Sequence, residues 1–292
     1  MAWKQLSVIT TKTSAADVAE LFSTFGALSV TYMDAADQPV YEPPPGATEI
    51  WQQTKVIGLF ELDSNPEIIE PLLSSQLTHV NLQDWQLETL EDQLWERAWL
   101  EHYQPMLFAD KLWVCPTGME QQEPGKVSLI LDPGLAFGTG THATTALCLQ
   151  WLASHNQQDK TIIDYGCGSG ILAIAAVLLG AKHADAVDID PQALTATQDN
   201  ADKNKIREHI ACHLAEQYNA APVDTVMANI LAKPLVELAD LLANLVKPGG
   251  NIVLSGILRE QAGTVLEAYR PFFNLAPPVQ QDDWCRIDGI KL

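Results

Sequence analysis

Residues Thr161-Ile162-Ile163-Asp164-Tyr165-Gly166-Cys167-Gly168-Ser169-Gly170 run directly into Ile171-Leu172-Ala173-Ile174-Ala175-Ala176. A β-branched run ends in an acid, glycine then occupies every second position, and an apolar helix begins. The pattern predicts a strand, a tight loop and a helix N-terminus, the place where α/β sheets hold nucleotide-like ligands. Gly166, Gly168 and Gly170 carry no Cβ, so the backbone can approach a ligand closely. The spacing is Asp-x-Gly-x-Gly-x-Gly, not the Gly-x-Gly-x-x-Gly that cradles a pyrophosphate. Asp164 at the strand end suits a ligand carrying positive charge and repels a pyrophosphate. A nicotinamide oxidoreductase is therefore disfavoured.

The chain around this loop alternates strands with helices. Strands are expected at 160–165, 184–189, 210–214, 225–230 and 251–258. Helices are expected at 170–179, 191–204, 233–246 and 260–269, with the Lys247-Pro248-Gly249-Gly250 turn closing the third of these as glycine after a C-cap does. Repeated βα units imply a doubly wound, mostly parallel sheet. The tail from Phe272 is expected to add an antiparallel pair. The second strand ends Asp188-Ile189-Asp190-Pro191. An acid there is where a ribose diol is held, because a carboxylate accepts both hydroxyl protons. Asp188 is the candidate, while Asp190 precedes a proline-started helix and fits an N-cap. The fourth strand ends at Asn229, whose carboxamide is expected to point into the crevice at the C-terminal edge of such a sheet, with a turn-forming asparagine as the competing account. Upstream, Asp132 to Thr145 is rich in Gly and Thr and ends in a helix start, where amides and hydroxyls can hold a ligand carboxylate. A plain loop with a Thr N-cap is the competing account. His142 alone gives no sign of general-base work, and His209 and His213 span a turn and a strand rather than one helix face.

The first ninety residues read differently. Strands at 3–10, 27–33, 51–62 and 85–90 enclose two helices. The first is capped by Ser14 and has Leu21, Phe22 and Phe25 on its apolar side. The second opens at Asn65-Pro66 with Ile68, Ile69, Leu72 and Leu73 apolar. The order β-α-β-β-α-β is that of a ferredoxin-like α+β unit. Pro43-Pro44-Pro45 marks an exposed loop between them. Glu91 to His102 reads as a polar helix with Trp95 and Trp99 on one face. The expected organisation is a domain over 1–88, a helical linker over 89–110 and a second domain over 111–292.

Seventeen Lys and Arg face 37 Asp and Glu, a net charge of −20. Phosphate binding needs basic surface, so direct nucleic-acid binding is not expected. An acidic surface favours a basic partner or serves solubility. The five cysteines have neither metal nor redox spacing and suit a reducing cytoplasm. Neither a signal peptide nor a membrane-length apolar run is seen, so the expectation is a cytoplasmic, monomeric protein that needs neither membrane nor metal.

The strand, glycine loop and helix resemble motif I of the S-adenosylmethionine-dependent methyltransferases. The run Asp132-Pro133-Gly134-Leu135-Ala136-Phe137-Gly138-Thr139-Gly140-Thr141-His142, the loop Asp164 to Leu172, the step Asp188-Ile189-Asp190-Pro191 and the edge Asn229-Ile230-Leu231-Ala232 occur in order. Together with the Trp95 and Trp99 helix they resemble the bacterial PrmA family, which methylates ribosomal protein eleven of the large subunit. Ala143 stands where that family often has proline. The resemblance spans essentially the whole chain. It implies a Rossmann-like, seven-stranded class I methyltransferase sheet behind a substrate-recognising N-terminal domain that swings on a helical linker. It implies S-adenosyl-L-methionine as methyl donor, contacted by Thr145, Gly166, Asp188 and Asn229, with Asp164 and Gly168 completing the motif I site. It also implies methylation of lysine side chains and of the α-amino group of that ribosomal protein, up to the trimethyl state, with Asn229 as the catalytic residue. The alternative is a nucleic-acid or small-molecule methyltransferase on the same fold. Many amino-group methyltransferases carry Pro-Pro-aromatic after the edge Asn or Asp, and Ile230-Leu231-Ala232 departs from that, which argues against a stacked base as substrate.

Overall fold

Two compact units divide the chain, residues 1–99 and 100–292. The computed structural model describes residues 2–36, 50–76, 82–90, 104–132 and 140–292. The Pro43–Pro45 loop, the side chain of Leu73, the linker helix with Trp95 and Trp99, and residues 133–139 of the Gly/Thr-rich run lie outside the described residues.

In the first unit, strands β1 (Trp3–Thr11), β2 (Ser29–Asp34), β3 (Gln53–Glu61) and β4 (Gln83–Leu90) form an antiparallel sheet in the order β2-β3-β1-β4. That is the strand order of a split βαβ unit. Along β3, Thr54, Val56, Gly58 and Phe60 are buried and the residues between them are not, so one face alone meets the core. Helix α1 (Ala15–Thr24) lays Ala15, Val18 and Phe22 on that face, and Ile69 from α2 (Ile69–Gln76) joins them. Ser14 takes the N-cap position of α1, but its side chain makes no cap hydrogen bond; Thr11 Oγ1 donates to it instead. Both ends of the expected linker are strand: β4 runs to Leu90 and β5 (Met106–Phe108) begins sixteen residues on.

The second unit carries a small sheet of β5, β6 (Leu112–Cys115) and β7 (Val127–Ile130), which sequence reading did not resolve. Its main sheet uses β8 (Thr161–Tyr165), β9 (His183–Asp188), β10 (Ile210–Leu214), β11 (Val223–Asn229), β12 (Val246–Leu258), β13 (Phe273–Leu275), β14 (Val279–Gln281) and β15 (Trp284–Lys291). Seven follow the path β10-β9-β8-β11-β12-β15-β13, and β14 pairs with β15 as an eighth, one more strand than expected. The first five run parallel, while β15 is antiparallel to both β12 and β13.

Adjacent residues of the central strands enter opposite cores. Ile162, Ala186, Met227 and Val253 face helices α3 (Ala143–Ser154), α4 (Ile171–Leu178) and α5 (Pro191–Lys203). Ile163, Val187, Val226 and Ile252 face α6 (Ala232–Glu237), α7 (Ala239–Asn244) and α8 (Ala262–Tyr269). Helices cover both faces, which is why the central strands read as continuous apolar runs.

Two expectations need correction. The single helix over 233–246 is two short helices that break at Leu238. The Lys247-Pro248-Gly249-Gly250 segment does not close it; α7 ends at a Leu245 C-cap, and the segment lies inside β12. Val246 pairs with Val223, the register then slips, and Asn251 pairs with Thr225. Pro248 has no N–H to give a ladder and Gly249 has φ +74°, so the strand crosses this point as an irregularity.

Candidate active site

The C-terminal ends of β8, β9 and β11 meet the N-termini of α3 and α4 around a cleft of about 570 Å³. That falls within the range of roughly 300–1,000 Å³ found for small-molecule sites. The loop after β8 is tied down by backbone. The N–H groups of Gly166 and Cys167 both donate to Val187 O, at 2.7 and 3.1 Å, and Gly170 N–H donates to Cys167 O at 2.8 Å. From α5, Thr197 Oγ1 donates to Gly168 O at 3.1 Å and Asn200 Nδ2 to Ser169 O at 2.9 Å. Gly166 has φ +79°, and a Cβ there would collide with Ile230 Cγ2. Only glycine lets this loop pass.

Asp188 leaves β9 on the cleft wall. Its Oδ2 accepts Gly168 N–H at 2.9 Å and its Oδ1 accepts Asp190 N–H at 3.0 Å. One lone pair on each oxygen remains for a diol. Asp190 caps α5 through Gln192 N–H at 2.8 Å and does not line the cleft. Beside Asp188, Ile189 lines the cleft and is 85% exposed, an apolar surface open to a flat ligand.

Asn229 ends β11 and also lines the cleft. Its Nδ2 donates to Thr145 Oγ1 at 3.2 Å, which leaves the carboxamide oxygen to accept a hydrogen bond. Thr145 borders the cleft but is fully buried, so its hydroxyl serves Asn229 rather than solvent. His142, not a Thr, is the N-cap of α3; its Nδ1 accepts Thr144 N–H at 3.4 Å. Its ring meets Trp284 edge-on, with centroids 5.0 Å apart. Burial lowers the His142 pKa below the usual imidazole value, so the ring is neutral at neutral pH.

Asp164 is the sequence-predicted residue the structure places elsewhere. It is fully buried, off the cleft wall, and its Oδ2 accepts Ala173 N–H at 3.1 Å from the first turn of α4. Burial raises its pKa to about 7. The carboxyl secures the loop-to-helix turn instead of presenting a charge to a ligand. Its Oδ1 finds no hydrogen-bond partner among the described residues.

Sequence reading missed Tyr165, Pro234, Leu238, Gly256 and Trp284, all on the cleft wall. Trp284 arrives from the tail, and nothing local announces it. Gly256, a lone glycine inside a strand pattern, is a signal of a bulge or of close backbone approach. Among the described residues no lysine or arginine lines the cleft, and most of its wall is apolar. Among the described residues no cluster of His, Cys, Asp or Glu is arranged to hold a metal ion, and no helix is long and apolar enough to cross a membrane.

A parallel sheet in this order, with a glycine loop after its central strand, an acid on the next strand and an asparagine on the strand at its other side, defines a class I methyltransferase. Comparison with known proteins agrees. The profile of the family described as "Ribosomal protein L11 methyltransferase (PrmA)" matches residues 2–291. A protein of that name from Hahella chejuensis is 50% identical over 292 residues, covering 100% of this chain and 99% of its own. One from Methylococcus capsulatus is 51% identical over 290 residues, covering 99% of each. A crystal structure of a ribosomal protein L11 methylase from Lactobacillus delbrueckii subsp. bulgaricus is 31% identical, with a TM-score of 0.57, over 65% of this chain and 99% of that one. The chain belongs to the PrmA family and is an S-adenosylmethionine-dependent methyltransferase.

Proposed function

We propose that this enzyme methylates ribosomal protein L11 on lysine side chains and on the N-terminal α-amino group, carrying each to the trimethyl state. The observation that carries the reading is Asn229, held by Thr145 on a cleft wall whose described residues include no lysine or arginine. The wall would admit a neutral amine and accept a hydrogen bond from its N–H, and its described residues offer no lysine or arginine to hold a phosphate.

When bound, S-adenosylmethionine supplies an electrophilic methyl group on a sulfonium. On this reading Gly166 and Gly168 let the backbone reach it, Asp188 holds the ribose hydroxyls, Asn229 borders its reactive end and Thr145 fixes Asn229. Asp164 contributes through the loop it braces. The nucleophile must lose a proton first, since free lysine has a pKa of ~10.4 and an α-amine ~7.8. The apolar rim formed by Ile230, Leu231, Leu238 and Trp284 strips water from the amine and lowers that value. Asn229 Oδ1 then accepts a remaining N–H and aims the lone pair along the line of displacement. Positioning of this kind supplies several kcal/mol of the barrier reduction.

Residues 1 to about 88, within the first unit, have their own core and contribute none of the described cleft residues, which supports their assignment to recognition of the protein substrate. The span 89–110 is assigned to joining them to the catalytic domain, 111–292. A net charge of −20 complements a basic substrate and disfavours direct binding to nucleic acid. The enzyme is assigned to the cytoplasm as a monomer. The test is to incubate it with labelled S-adenosylmethionine and a cell extract that retains ribosomal protein L11. Label on ribosomal protein L11 supports the reading; label on RNA or on small molecules alone overturns it.

A further inference from the structure

The turn after β11 is seated between two residues that have no side chain. On one side is Gly166, whose missing Cβ makes room for Ile230 Cγ2. On the other is Gly256, at φ +82° in β12, where a Cβ would overlap the Ile230 carbonyl oxygen and stand 2.8 Å from its carbon. The first contact is with a side-chain methyl. The second is with the peptide itself and cannot be relieved by a rotamer change. Gly256 also sits where β12 slips register against β15, between Leu254 and Ile257. The preceding residue, Ser255, pairs in register with Asn229, and its Oγ donates to Thr144 O at 3.0 Å. The bulge in β12 therefore touches both supports of the catalytic edge, the Ile230 peptide directly and the N-terminus of α3 through Ser255.

We infer that Gly256 is a positioning residue. By admitting the Ile230 peptide where any side chain would displace it, Gly256 sets where Asn229 and the Ile230 carbonyl stand relative to the incoming amine. This rests on the reading of Asn229 as the amine's acceptor. In an in-line displacement, a misplacement of about 1 Å costs on the order of a hundredfold in rate.

Gly256→Ala in the full-length enzyme is the test. S-adenosylmethionine affinity measured by calorimetry should stay within about threefold of wild type, and KM for the protein substrate should hold, because binding energy is spent elsewhere. The single-turnover rate should fall by roughly a hundredfold, and a crystal structure of the variant should show the Ile230 oxygen moved by about 1 Å. A rate within about twofold of wild type, or a rate and a cofactor affinity that fall in parallel, overturns the inference. If Gly256→Ala does not fold, Ile230→Leu decides. It removes the Cγ2 methyl that abuts Gly166 and leaves the peptide held from one side only. A rate loss of about tenfold at unchanged cofactor affinity supports the seat, and an unchanged rate refutes it. A wild-type enzyme inactive on every amine refutes the amine reading itself, whereas an active wild type with an unaffected Gly256→Ala refutes this inference alone.

Discussion

Replacing Asp188 by Ala tests the cofactor end of the cleft. Each carboxylate oxygen already accepts one backbone N–H, from Gly168 at 2.9 Å and from Asp190 at 3.0 Å. Each therefore keeps one outward lone pair, enough for one ribose hydroxyl apiece. A hydrogen bond to a charged group is worth about 1.5–3 kcal/mol net. Asp188 is half-buried, so water competes for both lone pairs in the free enzyme, and the pair together should contribute about what one well-shielded bond does. The expected loss is roughly 1.5–3 kcal/mol of affinity for S-adenosylmethionine, between about tenfold and a hundredfold in Kd. Titration calorimetry measures it directly. Asp185→Asn is the control: Asp185 lies on the same strand, binds Tyr218 and His183, and does not line the cleft, so cofactor affinity should not change. Wild-type affinity in Asp188→Ala would refute the assignment of the diol to this residue.

Four further outcomes are expected. Asn229→Ala should lower the single-turnover rate more than it weakens substrate binding, because aiming the amine matters most in the transition state; equal rates would make the strand edge structural only. The buried Asp164 carboxyl, with its pKa raised to about 7 from a usual 3.8, favours the folded state when protonated. Its contribution is fully present below about pH 4 and is lost as pH rises through 7, at up to ~1.4 kcal/mol per pH unit, so denaturant unfolding of Asp164→Asn should lack this fall relative to wild type. Asp224 works with the opposite sign: against the cost of burial, hydrogen bonds from Lys247 and Thr161 hold its pKa down to about 2, and the stability it adds is lost as pH falls from 3.8 toward that value. Asp224→Ala should cost roughly 1–2 kcal/mol near neutral pH, discounted for a partly exposed pair, and an unchanged unfolding midpoint would contradict it. Finally, a truncated chain starting near Leu90 should keep cofactor affinity yet lose methylation of the intact ribosomal protein; full-length rates from it would place recognition in the catalytic domain.

The catalytic unit is legible in the sequence where local chemistry and tertiary role coincide. The glycine loop takes positive φ at Gly166, Gly168 and Gly170, and at Gly166 and Gly170 a Cβ would also collide with Ile230 and Thr197, so glycine is read there from the sequence alone. Asp188 and Asn229 each close a β-branched or apolar run, and that pattern by itself marks them as strand ends. The rest depends on partners distant in sequence. Asp164 reads as a ligand-facing acid, and only the packing of α4 against β8 shows that its carboxyl turns inward to Ala173. Trp284 joins the cleft because β15 runs antiparallel beside β12, a pairing that no local pattern encodes. The Lys247–Gly250 segment has the composition of a turn, yet it bulges within β12 between the Val246–Val223 and Asn251–Thr225 pairs with β11, a placement set by those distant pairings. Leu238 breaks a helix whose apolar spacing is uninterrupted, and its side chain ends on the cleft wall.

On the proposed reading, the cleft at Asn229 transfers methyl groups to amines of ribosomal protein L11. Site-resolved mass spectrometry of that purified protein, after incubation with the full-length enzyme and S-adenosylmethionine, tests it most directly. Methyl groups are expected on lysine nitrogens and on the N-terminal nitrogen, rising to three on each, and accumulating much more slowly with Asn229→Ala. Unmodified amines, or accumulation at the wild-type rate with the variant, would contradict that reading.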